Sequence, residues 1–114
     1  MHELGIVFYI VRDVKAAAEA NQVQKVHSVT VELGEVSGVV PEYLTDCWNW
    51  AAGKEQLLAG AELICEQEQA ITWCDDCEEE YPTVQYGKTC PYCGSGNTWL
   101  LRGKDCTIRQ ITAE

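Results

Sequence analysis

Two Cys-x-x-Cys pairs constrain this chain more than any other feature. Cys74 and Cys77 form the first pair, and Cys90 and Cys93 form the second, with twelve residues between the pairs. Each pair can offer two thiolates from one tight turn, and four thiolates suit a single tetrahedral ion such as Zn²⁺. The glycines after the second pair allow the open backbone of a metal-binding knuckle, where a side chain would crowd the sulfurs. The spacing predicts a four-cysteine zinc ribbon whose zinc is structural, because four thiolates leave no position for a reacting water.

Two disulfides and a redox dithiol are the competing interpretations of these cysteines. Disulfides persist in oxidising compartments, but the apolar run 4–11 is preceded by an acid, unlike the basic start of a secretory signal. A redox motif needs one Cys-x-x-Cys pair at a helix start, so zinc is favoured. Of the seven cysteines, Cys47, Cys65 and Cys106 remain, and their apolar surroundings predict small buried hydrophobic side chains in a reducing compartment.

Charge and hydropathy exclude several classes of partner. No apolar run approaches the roughly 20 residues that span a bilayer, so we expect a soluble, cytoplasmic protein without a membrane partner. The net charge of the chain is −10. Between residues 70 and 103, five acids stand against Lys88 and Arg102, which leaves −3 before any thiolate is counted. Because nucleic-acid affinity comes largely from Lys and Arg, an acidic ribbon argues against a nucleic-acid partner.

Hydrophobic periodicity predicts two helices and three strands outside the ribbon. A helical stripe over residues 4–20 contains Leu4, Val7, Val11, Val14 and Ala18. Alternation over 24–33 predicts a strand, and residues 62–69 and 105–112 predict two more, the last with a bulge because Ile108 and Ile111 are three apart. Pro41 suits the first turn of a second helix that ends near Gly53. Trp48 and Trp50 cannot both face the core from that helix.

These elements predict an α/β (α+β) fold, with two helices on a small mixed sheet of about three strands. The last strand needs a sheet to join, and the two earlier strands supply it. The zinc module is then an insertion, which divides the chain into an α/β domain, residues 1–69 and 104–114, and a zinc-ribbon domain, residues 70–103.

The N-terminus carries a second candidate metal site. A histidine in position two can combine its imidazole and its own amide nitrogen with the α-amine of Met1, and Glu3 adds a carboxylate. Such nitrogen donors suit square-planar Ni²⁺ or Cu²⁺ better than tetrahedral Zn²⁺. His2 alone is a weak signal. His27, the other histidine, lies in a strand and is interpreted as structural or partly exposed.

The start Met-His-Glu-Leu, the amphipathic helix, the loop 34–39 and the paired cysteines resemble, in order and spacing, the HypA/HybF family of nickel metallochaperones for [NiFe]-hydrogenases. The resemblance covers essentially the whole chain. It implies that Met1, His2 and Glu3 hold Ni(II) as transient cargo and that Cys74, Cys77, Cys90 and Cys93 hold structural Zn(II). It also implies a HypB-type GTPase partner and delivery of nickel to the large-subunit precursor of a hydrogenase.

Two departures and two alternatives accompany this resemblance. Gly5 stands where many relatives have a better helix former, and no histidine lies beside the zinc cysteines, so pH switching through the ribbon is not expected here. One alternative function is a zinc-ribbon adaptor for a protein partner, with nucleic acid disfavoured. The other is a metal-dependent hydrolase, but the sequence has only His2 and His27 and no H-E-x-x-H or nucleophile motif. A non-enzymatic nickel carrier is the leading hypothesis.

Overall fold

The computed structural model of this chain describes residues 3–114. In that range the elements are α1 (Glu3–Ala20), β1 (Val26–Gly34), α2 (Pro41–Ala52), β2 (Glu62–Glu68), β3 (Ile71–Cys74), β4 (Glu79–Pro82), α3 (Thr83–Tyr86), β5 (Thr98–Arg102) and β6 (Cys106–Ala113). The short helix α3 was not predicted from the sequence. No helix within residues 3–114 is long and apolar enough to cross a membrane.

The first sheet has the strand order β2-β1-β6, with β1 parallel to β2 and antiparallel to β6. The predicted pairing of the last strand with the earlier strands is therefore confirmed. The predicted bulge is also present. Thr30 pairs with Gln110 and Val31 with Ile108, so Arg109 is the extra residue between them. Its guanidinium lies 3.2 Å from carboxylate oxygens of both Glu32 and Glu66.

Helix α1 packs a stripe made of Val7, Ile10, Val14 and Ala18 into the core. The predicted stripe was partly wrong, because Leu4 is exposed, Val11 is only half-buried and Ile10 was left out. Each helical residue advances by about 100°, so Leu4 and Val11 fall on the flank of the buried stripe.

Helix α2 begins at Pro41 and is followed by Gly53, as predicted. Trp48 is fully buried, and its indole N–H donates to the carbonyl of Ala61 at 2.9 Å. Trp50 is exposed, and the ammonium of Lys54 lies 3.8 Å from its ring centroid. Only one of the two tryptophans faces the core, which confirms the prediction. The predicted burial of Cys47, Cys65 and Cys106 was too strong, because all three are half-buried.

The second sheet, with the order β4-β3-β5, is antiparallel throughout and has its own small core of Cys74, Tyr81 and Cys90. The chain crosses from the first sheet to the second near Ala70 and returns to the first near Gly103. The loop after β1 holds both crossings, since a Glu35 carboxylate oxygen accepts the Ala70 N–H at 3.0 Å and the Gly103 carbonyl accepts the Val36 N–H at 2.9 Å. The junction between the sheets is thus hydrogen-bonded on both crossings.

Candidate metal centre

The four predicted zinc cysteines come together in one cluster. The sulfur atoms of Cys74, Cys77, Cys90 and Cys93 all lie within 4.8 Å of one another. Cys74 and Cys93 are 3.6 Å apart between sulfurs, and Cys77 and Cys90 are 3.5 Å apart. A tetrahedral zinc with Zn–S bonds of about 2.3 Å would place its sulfurs about 3.8 Å apart. The donor set and its dimensions therefore fit one tetrahedral ion.

The two Cys-x-x-Cys turns share one backbone geometry. The Glu78 N–H donates to the carbonyl of Cys74, and the Gly94 N–H donates to the carbonyl of Cys90, each at 2.9 Å. Each donor lies four residues after the first cysteine of its pair. Both donors have a positive φ, 58° at Glu78 and 75° at Gly94. A Cβ on Gly94 would meet nothing within 4 Å. The expected reason for this glycine was therefore wrong, because its backbone angle is what favours glycine there and not the room around the sulfurs.

Polar side chains tie the two turns to each other. Asp76, inside the first cysteine pair, accepts hydrogen bonds from Ser95 Oγ and, at 3.3 Å, from Asn97 Nδ2 after the second pair. These bonds from Ser95 and Asn97 lower the pKa of Asp76. This contact was not predicted from the sequence, where its only signal is an acid in the first cysteine turn and a Ser and an Asn after the second. This link keeps the two cysteine pairs aligned with each other, although no strand contains both pairs.

The thiols of the cluster differ in how readily they lose a proton. Burial and the neighbouring thiols of Cys90, Cys74 and Cys93 raise the pKa of Cys77 to about 12. Burial also works to raise the pKa of Cys90, but hydrogen bonds with the backbone of Cys93 and Tyr92 outweigh it and lower that pKa to about 7. Four thiolates so close together repel one another, so the fully deprotonated cluster requires a cation.

The predicted nickel residues lie at the start of the chain. Met1 and His2 lie outside the described residues. Glu3 is the first residue of α1, and its Oε2 accepts the backbone N–H of Val40 at 3.2 Å. That contact joins residues 37 positions apart and places the Glu3 carboxylate against the segment that leads into α2. No role for Val40 was predicted from the sequence.

Comparison with known proteins identifies the family. Residues 1–113 match the family described as "Hydrogenase/urease nickel incorporation, metallochaperone, hypA". The chain belongs to the HypA family. The hydrogenase maturation factor HypA of Chlorobium phaeobacteroides (strain BS1) is 38% identical over 115 residues, which cover 100% of both chains. The HypA of Francisella philomiragia subsp. philomiragia is 35% identical over 111 residues, 97% of each chain.

The fold of the HypA family is also found in a solved structure. The solution structure of the Ni metallochaperone HypA from Helicobacter pylori superimposes with a TM-score of 0.78 over 99% of this chain and 97% of that chain, at 22% sequence identity. At this identity the match establishes a shared fold. The resemblance seen in the sequence is confirmed, and family membership makes this chain a nickel metallochaperone of hydrogenase maturation.

Proposed function

We propose that this chain carries Ni(II) at Met1, His2 and Glu3 and holds Zn(II) in Cys74, Cys77, Cys90 and Cys93. The family match over residues 1–113 carries the proposal. Zinc supplies cross-linking of the ribbon when bound, and it would do no chemistry because four sulfurs complete its tetrahedron. Residues 1–69 and 104–114 would form the nickel-binding domain, and residues 70–103 the zinc-ribbon domain.

The position of Glu3 supports a nickel site at the end of α1. The Val40 N–H donates to the Glu3 carboxylate and orients it. Glu3, which follows His2 in the chain, is thereby held against the segment that leads into α2. A helix N-terminus disfavours a nearby cation through its positive dipole end, and a carboxylate there offsets this by roughly 0.3–1 kcal/mol. Glu3 would therefore supply both a donor group and compensating charge.

Protons compete with nickel for the same donors. An α-amine has an ordinary pKa of about 7.7–8.0 and an imidazole of about 6.5. Nickel affinity should fall as the pH drops through this range, because each donor must lose its proton before it binds the ion. A site with few enforced ligands also releases its ion readily, which suits a carrier.

The test of the nickel site is calorimetric titration of the full-length, zinc-loaded protein with Ni²⁺. His2→Ala, and separately one or two residues added before Met1, should each abolish specific nickel binding and hydrogenase maturation while zinc content stays unchanged. His27→Ala is the matched control, since His27 is the other histidine of the chain and its side chain is exposed in the first sheet. Nickel affinity that survives both changes at the terminus would place the site elsewhere.

The remaining parts of the proposal concern partners and compartment. A HypB-type GTPase and the large-subunit precursor of a [NiFe]-hydrogenase are the proposed partners, in the cytoplasm, and the role is non-enzymatic. Co-purification of the chain with each partner, with and without Ni²⁺, tests this directly. The alternative, a zinc-ribbon adaptor, would show zinc and a protein partner but no specific nickel binding.

A further inference from the structure

The sheet β4-β3-β5 carries two tryptophans side by side on the face that points away from the cysteines. Trp73 of β3 lies opposite Trp99 of β5 and opposite Glu80 of β4. Residues directly opposite each other share a face. The face, here called the twin-tryptophan face, consists of Ile71, Trp73, Glu80, Pro82, Trp99 and Arg102.

The twin-tryptophan face is not part of the ribbon's core. The inward positions of β3, Thr72 and Cys74, are buried, whereas Trp99 remains 51% exposed and Trp73 half-buried. The small core of this sheet consists of Cys74, Tyr81 and Cys90 and does not include either indole. Adjacent, partly exposed aromatic side chains are typical of the centre of a protein interface.

A carboxylate orients both indoles. The N–H groups of Trp73 and Trp99 donate to the same oxygen of Asp75, Oδ1, at 2.8 and 3.3 Å. The other oxygen, Oδ2, accepts no hydrogen bond from the part of the chain that the structure describes. The rings are therefore held in place, and an acceptor with negative charge remains at their edge.

The negative charge of the ribbon determines which class of partner the twin-tryptophan face can bind. Residues 70–103 carry −3, and zinc bound by four thiolates adds a further −2. Phosphates, anionic lipid headgroups and a second copy of this chain, at −10, would all be repelled. A positively charged segment of another protein is the class of partner that this charge attracts.

Cations lie over exposed aromatic rings elsewhere in this molecule, and the face itself contains one arginine. Arg102 reaches across the face to Glu80 on the opposite edge strand, with 3.4 Å between Nη1 and Oε1. The exposed ring of Trp50 is covered by Lys54. Among the described residues no cation lies over Trp73 or Trp99. Indole faces attract ammonium and guanidinium groups, so the Trp99 end of the face is open to a cation from outside.

We propose that the twin-tryptophan face docks an arginine- or lysine-bearing segment of a partner protein. One cationic side chain stacks on Trp99, and its charged end approaches Asp75. This docking depends on the zinc ribbon and not on nickel at the N-terminus, so the two proposals can fail independently.

The first test follows the four indole N–H signals of ¹⁵N-labelled, zinc-loaded, full-length protein during titration with a short glycine-serine peptide that carries several arginines. The signals of Trp73 and Trp99 should shift together, while that of Trp50, which is 52% exposed and already covered by Lys54, stays in place. A peptide with citrulline in place of arginine keeps the shape without the charge and should not bind. Equal shifts at Trp50, equal binding of the citrulline peptide, or no binding at millimolar concentration overturns the proposal.

The second test compares matched variants. Trp99→Ala removes the stacking surface and should weaken arginine-peptide binding about three-fold or more. Asp75→Asn keeps an oxygen for the indoles but loses the charge and should also weaken binding. Trp50→Ala and Asp46→Asn remove the same groups from α2 and should leave the affinity unchanged. Zinc content is measured for each variant to show that the ribbon is intact. Wild-type affinity in Trp99→Ala, or an equal loss in Trp50→Ala, contradicts the assignment.

Discussion

Glu78 and Gly94 occupy equivalent positions in the two cysteine turns, yet only one is a glycine. A positive φ costs a residue with a Cβ about 1 kcal/mol relative to glycine. The turn at Cys74 therefore forms against a local backbone preference, with the Glu78 N–H bonded to the Cys74 carbonyl. Zinc held by the four cysteines would more than offset such a cost, since structural zinc contributes an apparent ~10–16 kcal/mol to folding.

Replacement of one cluster cysteine should remove the zinc and unfold the ribbon. Cys74→Ala leaves three thiolates and opens the tetrahedron, so we expect loss of about one zinc per chain and loss of the dispersed NMR signals of residues 70–103, with the helices retained. Metal analysis measures the zinc, a ¹H–¹⁵N NMR spectrum measures the dispersion of the ribbon signals, and far-ultraviolet circular dichroism measures the retained helices. Cys47→Ala, at a half-buried cysteine outside the ribbon, is the control and should keep its zinc. Full zinc content in Cys74→Ala, or disulfides mapped within 74–93, would contradict the site.

The same substitution, Trp to Phe, should have different effects on stability at the two tryptophans of α2. Trp48→Phe removes buried volume and leaves the Ala61 carbonyl without its indole donor, so the free energy of unfolding should fall by about 2–3 kcal/mol. Trp50→Phe changes an exposed ring and should stay within about 0.5 kcal/mol. Urea titration followed by circular dichroism compares them. Similar losses for both variants would show that the orientation of α2 is wrong.

At the scale of elements, the first sheet depends most on β6, which returns to that sheet after the whole ribbon. It pairs with β1 from Cys106 to Ala113, and the Glu114 carbonyl accepts N–H groups of both Gln24 and Lys25. One edge of β1 therefore depends on residues about 80 positions further along the chain. The helices alone cannot cover that edge.

Truncation after Gly103 should expose this edge. The N–H and C=O groups of β1 that face β6 would lose their partners, so we expect aggregation and loss of cooperative unfolding. Zinc should be retained because the sheet β4-β3-β5, which carries the cysteines, does not include β6. Solubility, thermal unfolding and zinc content are the measurements, and addition of a peptide of residues 104–114 should restore part of the stability. A truncated chain as stable and soluble as the full one would refute the pairing.

The whole molecule is elongated, with principal extents of 54 × 26 × 16 Å and a radius of gyration of 17.5 Å. A compact domain of this length would have a radius near roughly 13 Å. The two sheets meet at a narrow junction where backbones touch. A Cβ added to Gly34 would lie 2.1 Å from the Gly103 carbonyl oxygen, and one added to Gly103 would lie 2.3 Å from the Ala70 Cα. A side chain at either glycine would therefore force the backbone of the junction to shift.

Two glycine-to-alanine changes should act in opposite directions. Gly103→Ala adds a methyl group against the backbone of Ala70 and at a φ of 100°, so stability should fall by roughly 1–3 kcal/mol. Gly5→Ala adds the same group inside α1, where nothing lies within 4 Å, and should raise stability by about 0.5–1 kcal/mol. Thermal unfolding of both variants decides the matter. Equal tolerance of the two changes would mean that the junction is looser than described.

The sequence alone determined the features that depend on neighbours within a few positions. Cys-x-x-Cys spacing, Pro41 at the start of α2, the alternation along β1 and the bulge signal near Ile108 are local patterns, and the structure contains each of them. Such patterns are readable because turn geometry and side-chain periodicity act over short stretches of chain. The joining of the last strand to the earlier ones was also inferable, since a lone strand must find a sheet.

Only the tertiary structure decided what depends on distant residues. The contacts from Glu3 to Val40, from Glu35 to Ala70 and from Asp76 to Ser95 join segments that lie 19 to 37 positions apart in the chain. The true stripe of α1 and the outward face of Trp99 depend likewise on which surfaces meet. A side chain's burial is set by the partner that covers it, and a one-dimensional pattern cannot distinguish residues that lie only a few tens of degrees apart on a helix.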